Sequence, residues 1–302
     1  MPDRSAALHL PAEPGKKRVF WQRLASTLAL WALVVAAVAL GNMALFFVLI
    51  AGLGMLSLVE FFAMQPTGLR SRRYRRPVIV LAALYFAAVF FRCATSGGGP
   101  FWDLDVAFSA LALGACFVVT LGGKLEGEKT LLRIGITFLG FVYVPVFFSF
   151  LTKLLFIVPP VDGTKVAGEF YVVFVVVATK FTDMGAYAVG SLIGKHKMIP
   201  HISPGKTWQG FGGAIAGALV GGASIFALFG DRLELLTWSH ALALSLILAP
   251  VAVVGDLAES VLKRCLGSKD SGKMLPGIGG ALDLTDSILF TAPVAYVYLV
   301  LV

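Results

Sequence analysis

Apolar residues along this chain gather in long runs broken by short polar or glycine-containing segments. A membrane-crossing helix needs about 20 mostly apolar residues, and nine stretches meet that length, near 22–40, 43–63, 77–95, 104–121, 131–151, 167–190, 209–229, 237–256 and 286–302. The first two are separated only by Gly41 and Asn42, which predicts a tight helical hairpin. Two connections are longer than the rest, roughly 191–208 and 257–285, and both are rich in glycine and charge. The expected fold class is all-α, a polytopic transmembrane helical bundle of about nine spans. Residues 1–19 read as a disordered cytoplasmic tail, 20–165 as N-terminal transmembrane helices, and 166–302 as a C-terminal transmembrane catalytic region. The run at 22–40 is full length with no small-residue cleavage site after it, so a retained helix is expected there rather than a cleaved signal.

Composition supports this reading. The 302 residues are 58% hydrophobic and only 14% charged, against about 25% charged in an ordinary soluble domain. A water-soluble surface of this size cannot be covered with so little charge. The formal net charge of +8 does not point to nucleic acid, because the basic residues sit in short clusters between apolar runs without interleaved aromatic stacking residues. With the N-terminus in the cytoplasm and nine spans, twenty of the 25 Lys and Arg residues fall in inner segments and four, Arg92, Lys153, Lys165 and Arg232, in outer ones. That bias sets the orientation. Cys93, Cys116 and Cys265 form neither a disulfide framework nor a zinc pair and are expected to be free thiols.

Charge inside a span is costly and draws attention to function. Glu60 is expected near the cytoplasmic interface. Lys180 and Asp183 lie three apart on one helix face, which fits a packing ion pair and a polar cavity equally. Downstream, Ser203-Pro204-Gly205-Lys206-Thr207 ends in Gly-Lys-Thr, but the phosphate-loop spacing fails because Pro200 stands where its first glycine should be. The expected element is instead a helix start, with Ser203 as cap, Pro204 in the first turn, and backbone N–H groups plus Lys206 available to an anion. The densest polar cluster is 255–287. Asp256 and Glu259 share a face, Lys263 follows Glu259 by four, and Asp283 and Asp286 share a face as the last span begins. Hard divalent cations take carboxylate oxygens and substrate phosphates, and nearby Lys and Arg neutralise a polyphosphate, so the pattern suits phosphoryl or nucleotidyl transfer.

At these residues the sequence resembles the phosphatidate cytidylyltransferase family. Ser260, Lys263, Arg264, Lys269, Asp270, Pro276, Gly277, Gly279, Gly280, Asp283 and Asp286 stand in register with that family's C-terminal signature. Asp183, Ala186, Tyr187, Gly190, Lys195, His196, Lys197 and the run Ser203 to Gly210 resemble its earlier motifs. The resemblance covers roughly 170–290 and implies transfer from CTP to phosphatidate, giving CDP-diacylglycerol and pyrophosphate with Mg²⁺, and allows a second metal ion. It implies Asp256, Asp283 and Asp286 as metal ligands, Lys263, Arg264 and Lys269 as catalytic groups around the CTP phosphates, and Asp270 as a further catalytic group, toward the metal or the nucleotide. Asp183, Tyr187, Lys195, Lys197, Ser203, Lys206 and Thr207 would bind substrate. The implied setting is a multi-pass protein of a bacterial inner membrane, with CTP and membrane lipid as partners, no nucleic acid, and room for a homodimer. The chain departs from the family pattern at Ser191, Ile278 and Leu284, where the signature has Arg, His and Arg. Those departures leave open another lipid phosphate or a polyprenol as acceptor, and, in a different class, a scaffold or transporter.

Overall fold

The computed structural model describes residues 32–96, 102–158, 168–268, 272 and 279–302. The expected tail at 1–19 and the boundary near 165 lie outside them. Residues 32–40 form helix α1, which stops at Gly41 with φ +57°. A left-handed glycine is a common helix stop. Asn42 then caps α2 (Met43–Met64) by accepting from Leu45 N at 3.1 Å, so the expected hairpin is present. The chain continues through α3 (Arg72–Ser96), α4 (Trp102–Leu121) and α5 (Glu128–Phe141). A π-helical turn, Val142–Val146, carries α5 into α6 (Phe147–Leu155). Pro145 in this turn has no N–H to donate, and the widened turn absorbs that loss.

The second half comprises α7 (Glu169–Ile193), a two-stranded antiparallel ribbon of β1 (Lys197–Ile199) and β2 (Ser203–Thr207), α8 (Trp208–Phe229), α9 (Trp238–Cys265) and α10 (Ala281–Leu301). Eight segments among the described residues are long and apolar enough to cross a membrane. The expected span at 22–40 is described only in its α1 portion.

Several boundaries differ from those predicted. Helix α3 begins at Arg72, five residues before the apolar run, and α9 continues to Cys265, well beyond 256. Helix α10 begins at Ala281 rather than 286. Helices α9 and α10 therefore take up 257–265 and 281–285 of the connection expected at 257–285. Hydropathy stops at the first charges, whereas backbone hydrogen bonding does not, and the added turns of α9 and α10 carry charges, Glu259, Lys263 and Asp283 among them, that line a polar cleft. The region expected to open a helix at Ser203 is a strand. Lys197 pairs with Thr207 and Ile199 with Ser203, and Pro204 is tolerated because every strand of a ribbon is an edge. The helix cap is Thr207, whose hydroxyl accepts from Gly210 N at 3.1 Å.

Packing is closest where α7 crosses α8. A Cβ at Gly185 would fall 2.2 Å from the Gly213 carbonyl oxygen, and one at Gly213 would fall 2.4 Å from that of Gly185. Only paired glycines allow backbones this near, as in small-residue crossings of membrane helices. On the other side of the bundle Lys153, expected in an outer segment, is buried in α6. It pairs with Asp105 at 2.5 Å, and Asp105 also accepts from Tyr85 Oη at 2.6 Å. Glu60 is likewise buried, and its Oε2 accepts from Leu282 N at 3.0 Å, tying α2 to the first turn of α10. Cys93, Cys116 and Cys265 are free thiols.

Candidate active site

Four elements, α7, the ribbon, α9 and α10, bring polar side chains to one cleft of about 610 Å³, and Gly210 and Phe211 of α8 complete its lining. Helix α7 contributes Asp183, Tyr187, Gly190 and Ser191 from its last turns, and the ribbon contributes Ser203, Lys206 and Thr207. Helix α9 turns Asp256, Glu259 and Lys263 to the same space, and α10 turns Asp283, Asp286 and Ser287. Spacings of three and four residues make each helical set a single stripe. The ribbon is locked onto α8 by Gln209, whose Oε1 accepts from Lys195 N and His196 N, both at 3.2 Å. That lock holds Lys206 over α9, where its ammonium lies 2.8 Å from Asp256 and donates to the Val253 carbonyl at 3.1 Å.

Carboxylate oxygens of Asp256, Glu259 and Asp286 all lie within 4.8 Å of one another. Glu259 and Asp286 are buried, and Glu259 Oε1 has no hydrogen-bond partner among the described residues. Lys263 lies 2.7 Å from Glu259 and donates as well to Asp283. Asp283 also accepts from Gly280 N at 2.8 Å, closing the first turn of α10. Two further buried hydroxyls, Ser287 Oγ and Tyr143 Oη, have no hydrogen-bond partner among the described residues. Tyr143 stands on the π-helical turn, within electrostatic reach of Asp286, Glu259 and Asp256. A buried polar atom without a partner is costly, and three carboxylates at this spacing repel. A hard divalent cation relieves both, and the all-oxygen donor set is what Mg²⁺ takes. The residues present fit such an ion.

Of the residues singled out from the sequence, Asp183, Tyr187, Ser203, Lys206, Thr207, Asp256, Lys263, Asp283 and Asp286 line the cleft. Lys195, Lys197 and Arg264 are exposed and do not line it. Lys269, Asp270 and Ile278 lie outside the described residues. Among the three expected metal ligands, Asp256 and Asp286 meet, while Asp283 is turned to Lys263 and the α10 backbone. Glu259 is the third member of the observed carboxylate cluster. Its spacing from Asp256 was visible in the sequence, but the rotation of α9 against α10 that selects it was not. Tyr143, in the half of the chain without polar motifs, had no sequence signal at all.

The chain was compared with known proteins. The cytidylyltransferase family model matches residues 21–302. Phosphatidate cytidylyltransferase of Mycobacterium leprae is 42% identical over 160 residues, covering 53% of this chain and 47% of that protein. The Mycobacterium bovis protein of the same name is 39% identical over 183 residues, 60% of this chain and 56% of its own. That of Bacillus subtilis is 45% identical over 134 residues, 44% and 49% respectively. In these matches the chain spans about half the length of its curated relatives.

Proposed function

Because this chain belongs to the cytidylyltransferase family, we propose that its cleft joins CTP to phosphatidate, giving CDP-diacylglycerol and pyrophosphate at the cytoplasmic face of a bacterial inner membrane. The observation that carries the reading is the convergence of Asp256, Glu259 and Asp286 within 4.8 Å, flanked by Lys206 and Lys263, at the end of membrane-spanning helices. The relatives' name supplies the substrate class. Most Lys and Arg residues fall on one side under the nine-span topology, which supports a cleft open to the nucleotide in the cytoplasm.

In this mechanism an oxygen of the lipid phosphate monoester attacks the α-phosphorus of CTP. A new P–O–P bond forms as the bond from the α-phosphorus to the α–β bridging oxygen breaks, and pyrophosphate leaves with that electron pair. The attacking oxygen is already anionic at neutral pH, so no general base is required. Asp256, Glu259 and Asp286 would hold Mg²⁺, which supplies charge neutralisation on the phosphoryl oxygens. Lys206 and Lys263 neutralise the triphosphate where negative charge builds on the leaving group. Asp283 holds Lys263 in place, and Thr207 fixes the ribbon that carries Lys206. Lys195, Lys197 and Arg264, exposed around the cleft, raise the local concentration of the anionic nucleotide.

The test uses the full chain in detergent micelles with phosphatidate, Mg²⁺ and CTP labelled in its α-phosphate. Label is expected in a lipid product, and Asp286→Asn is expected to abolish it. Absence of labelled lipid from the unaltered protein refutes the proposal.

A further inference from the structure

A second cavity shares the α7–α10 seam. It measures about 180 Å³ and lies among α1, α2, α6, α7 and α10, with Ile50, Leu53, Leu151, Val173, Val176 and Ile288 in its walls. Of the described residues lining it, Lys180 alone is charged, and the one other polar side chain among them, Thr285, shares a hydrogen bond with Ser57 at 3.0 Å. One face of α7 connects the two cavities. Val173, Val176 and Val177 line the apolar one, Lys180 comes a turn later, and Asp183 and Tyr187 line the polar cleft. Helix α10 is divided the same way, with Leu284, Thr285 and Ile288 on the apolar side and Asp283, Asp286 and Ser287 on the polar side. The Lys180 ammonium sits on the partition. It donates to the Leu284 carbonyl at 2.8 Å and lies 3.6 Å from Asp183.

An ammonium within a membrane span is expensive to keep, and one carbonyl and one carboxylate leave a third N–H to place. Its stem lies in an apolar chamber while its head faces the carboxylate cleft. That arrangement matches a ligand with a hydrocarbon chain on one side and an anion at the junction. At position 284, where the resembling signature has an arginine, Leu284 adds to the apolar wall and the nearby cation comes from α7 instead.

We propose that the apolar cavity holds an acyl chain of the acceptor lipid and that Lys180 binds that lipid's phosphate, presenting it to the Asp256–Glu259–Asp286 cleft. The proposal deepens the functional reading above and rests on it for the identity of the acceptor. Val176 fills one wall, so Val176→Trp closes the chamber. Lys180→Met keeps the stem and removes the charge, and Lys180→Arg keeps the charge.

The experiment uses the full chain in lipid nanodiscs with a phosphatidate bearing a photoreactive diazirine in its acyl chain, the adducts being mapped by mass spectrometry. Adducts are expected on the α2 and α7 residues of the cavity and are expected to vanish in Val176→Trp. Lys180→Met is expected to raise the KM for phosphatidate about ten- to hundred-fold, the value of one charge-assisted hydrogen bond, with KM for CTP unchanged and with Lys180→Arg restoring most of the loss. A photoreactive diacylglycerol without phosphate is expected to label weakly and equally in the unaltered protein and Lys180→Met. Labelling confined to other surfaces, or a phosphatidate KM indifferent to Lys180→Met, overturns the proposal. Full competition by inorganic phosphate also overturns it, since Lys180 would then be a site for the free anion. Cavity labelling by a protein that makes no CDP-lipid supports the lipid site and refutes the reaction. Product formation with labelling elsewhere does the reverse.

Discussion

Replacing Glu259 by glutamine separates a metal site from an ion-pair network by the sign of its effect. Two unit charges 4.8 Å apart, the outer limit of the carboxylate cluster, repel by about 3.5 kcal/mol at an effective dielectric of about 20. Glu259 faces two such neighbours, Asp256 and Asp286, for about 7 kcal/mol of repulsion at that dielectric. Its contact with Lys263 at 2.7 Å returns about 6 kcal/mol on the same scale. The two nearly cancel, so without metal Glu259→Gln is expected to be close to neutral or mildly stabilising. With metal the expectation reverses. Mg²⁺ at 100 times its dissociation constant stabilises the native protein by about 2.7 kcal/mol. If loss of one ligand weakens binding about hundred-fold, the same Mg²⁺ stabilises the variant by only about 0.4 kcal/mol. The assay is thermal unfolding in detergent, first in EDTA and then across a Mg²⁺ titration, for both proteins. A similar melting temperature in EDTA and a much smaller Mg²⁺ shift in the variant are the expected results. A loss of about 3–5 kcal/mol that is the same with and without Mg²⁺ would refute the reasoning, because that is the cost of breaking a buried ion pair.

Other expectations follow from the same geometry. Gly213→Val puts a Cβ 2.4 Å from the Gly185 carbonyl and 2.6 Å from the Val189 side chain. The expected overpacking cost is about 1–3 kcal/mol, with activity lower by about a hundred-fold as α7 carries Asp183 and Tyr187 away from the cleft; normal melting and normal turnover would contradict the tight crossing. Lys206→Met removes the cation 2.8 Å from Asp256 and is expected to lower kcat/KM by about 10²–10³, with the far-ultraviolet spectrum unchanged; activity within a factor of about two of wild type would remove Lys206 from the mechanism. Lys153→Met leaves Asp105 buried without its cation and is expected to cost about 3–5 kcal/mol, much of it recovered by adding Asp105→Asn; equal stability of the single and double variants would show that the pair is not coupled.

What the sequence determined by itself is whatever depends on a local repeat or a bulk property. Lipid is a uniform apolar solvent, so the runs at 43–63, 104–121 and 209–229 are recognisable without knowledge of any neighbour. Asp256 with Glu259 and Asp283 with Asp286 were legible as helix-face pairs because three residues is a local spacing. Decisions that compare one helix with another were not legible. The extension of α9 to Cys265 depends on its charged face meeting a polar cleft, which α7, α10 and the ribbon enclose together. The strand at Ser203–Thr207 needs Lys197–Ile199 to pair with it, and that pairing moves the helix cap from Ser203 to Thr207. The choice of Glu259 over Asp283 in the carboxylate cluster follows from the rotation of α9 on α10 and from Lys263 and Gly280 occupying Asp283. Tyr143 stands on a π-helical turn within electrostatic reach of the same cluster, and Lys153 finds Asp105 across 48 positions of chain. Hydropathy and charge spacing therefore determined that a polar site lies beside membrane helices in the C-terminal half. Tertiary packing decided which side chains share it, because contact between helices depends on rotation and close approach that no local repeat encodes.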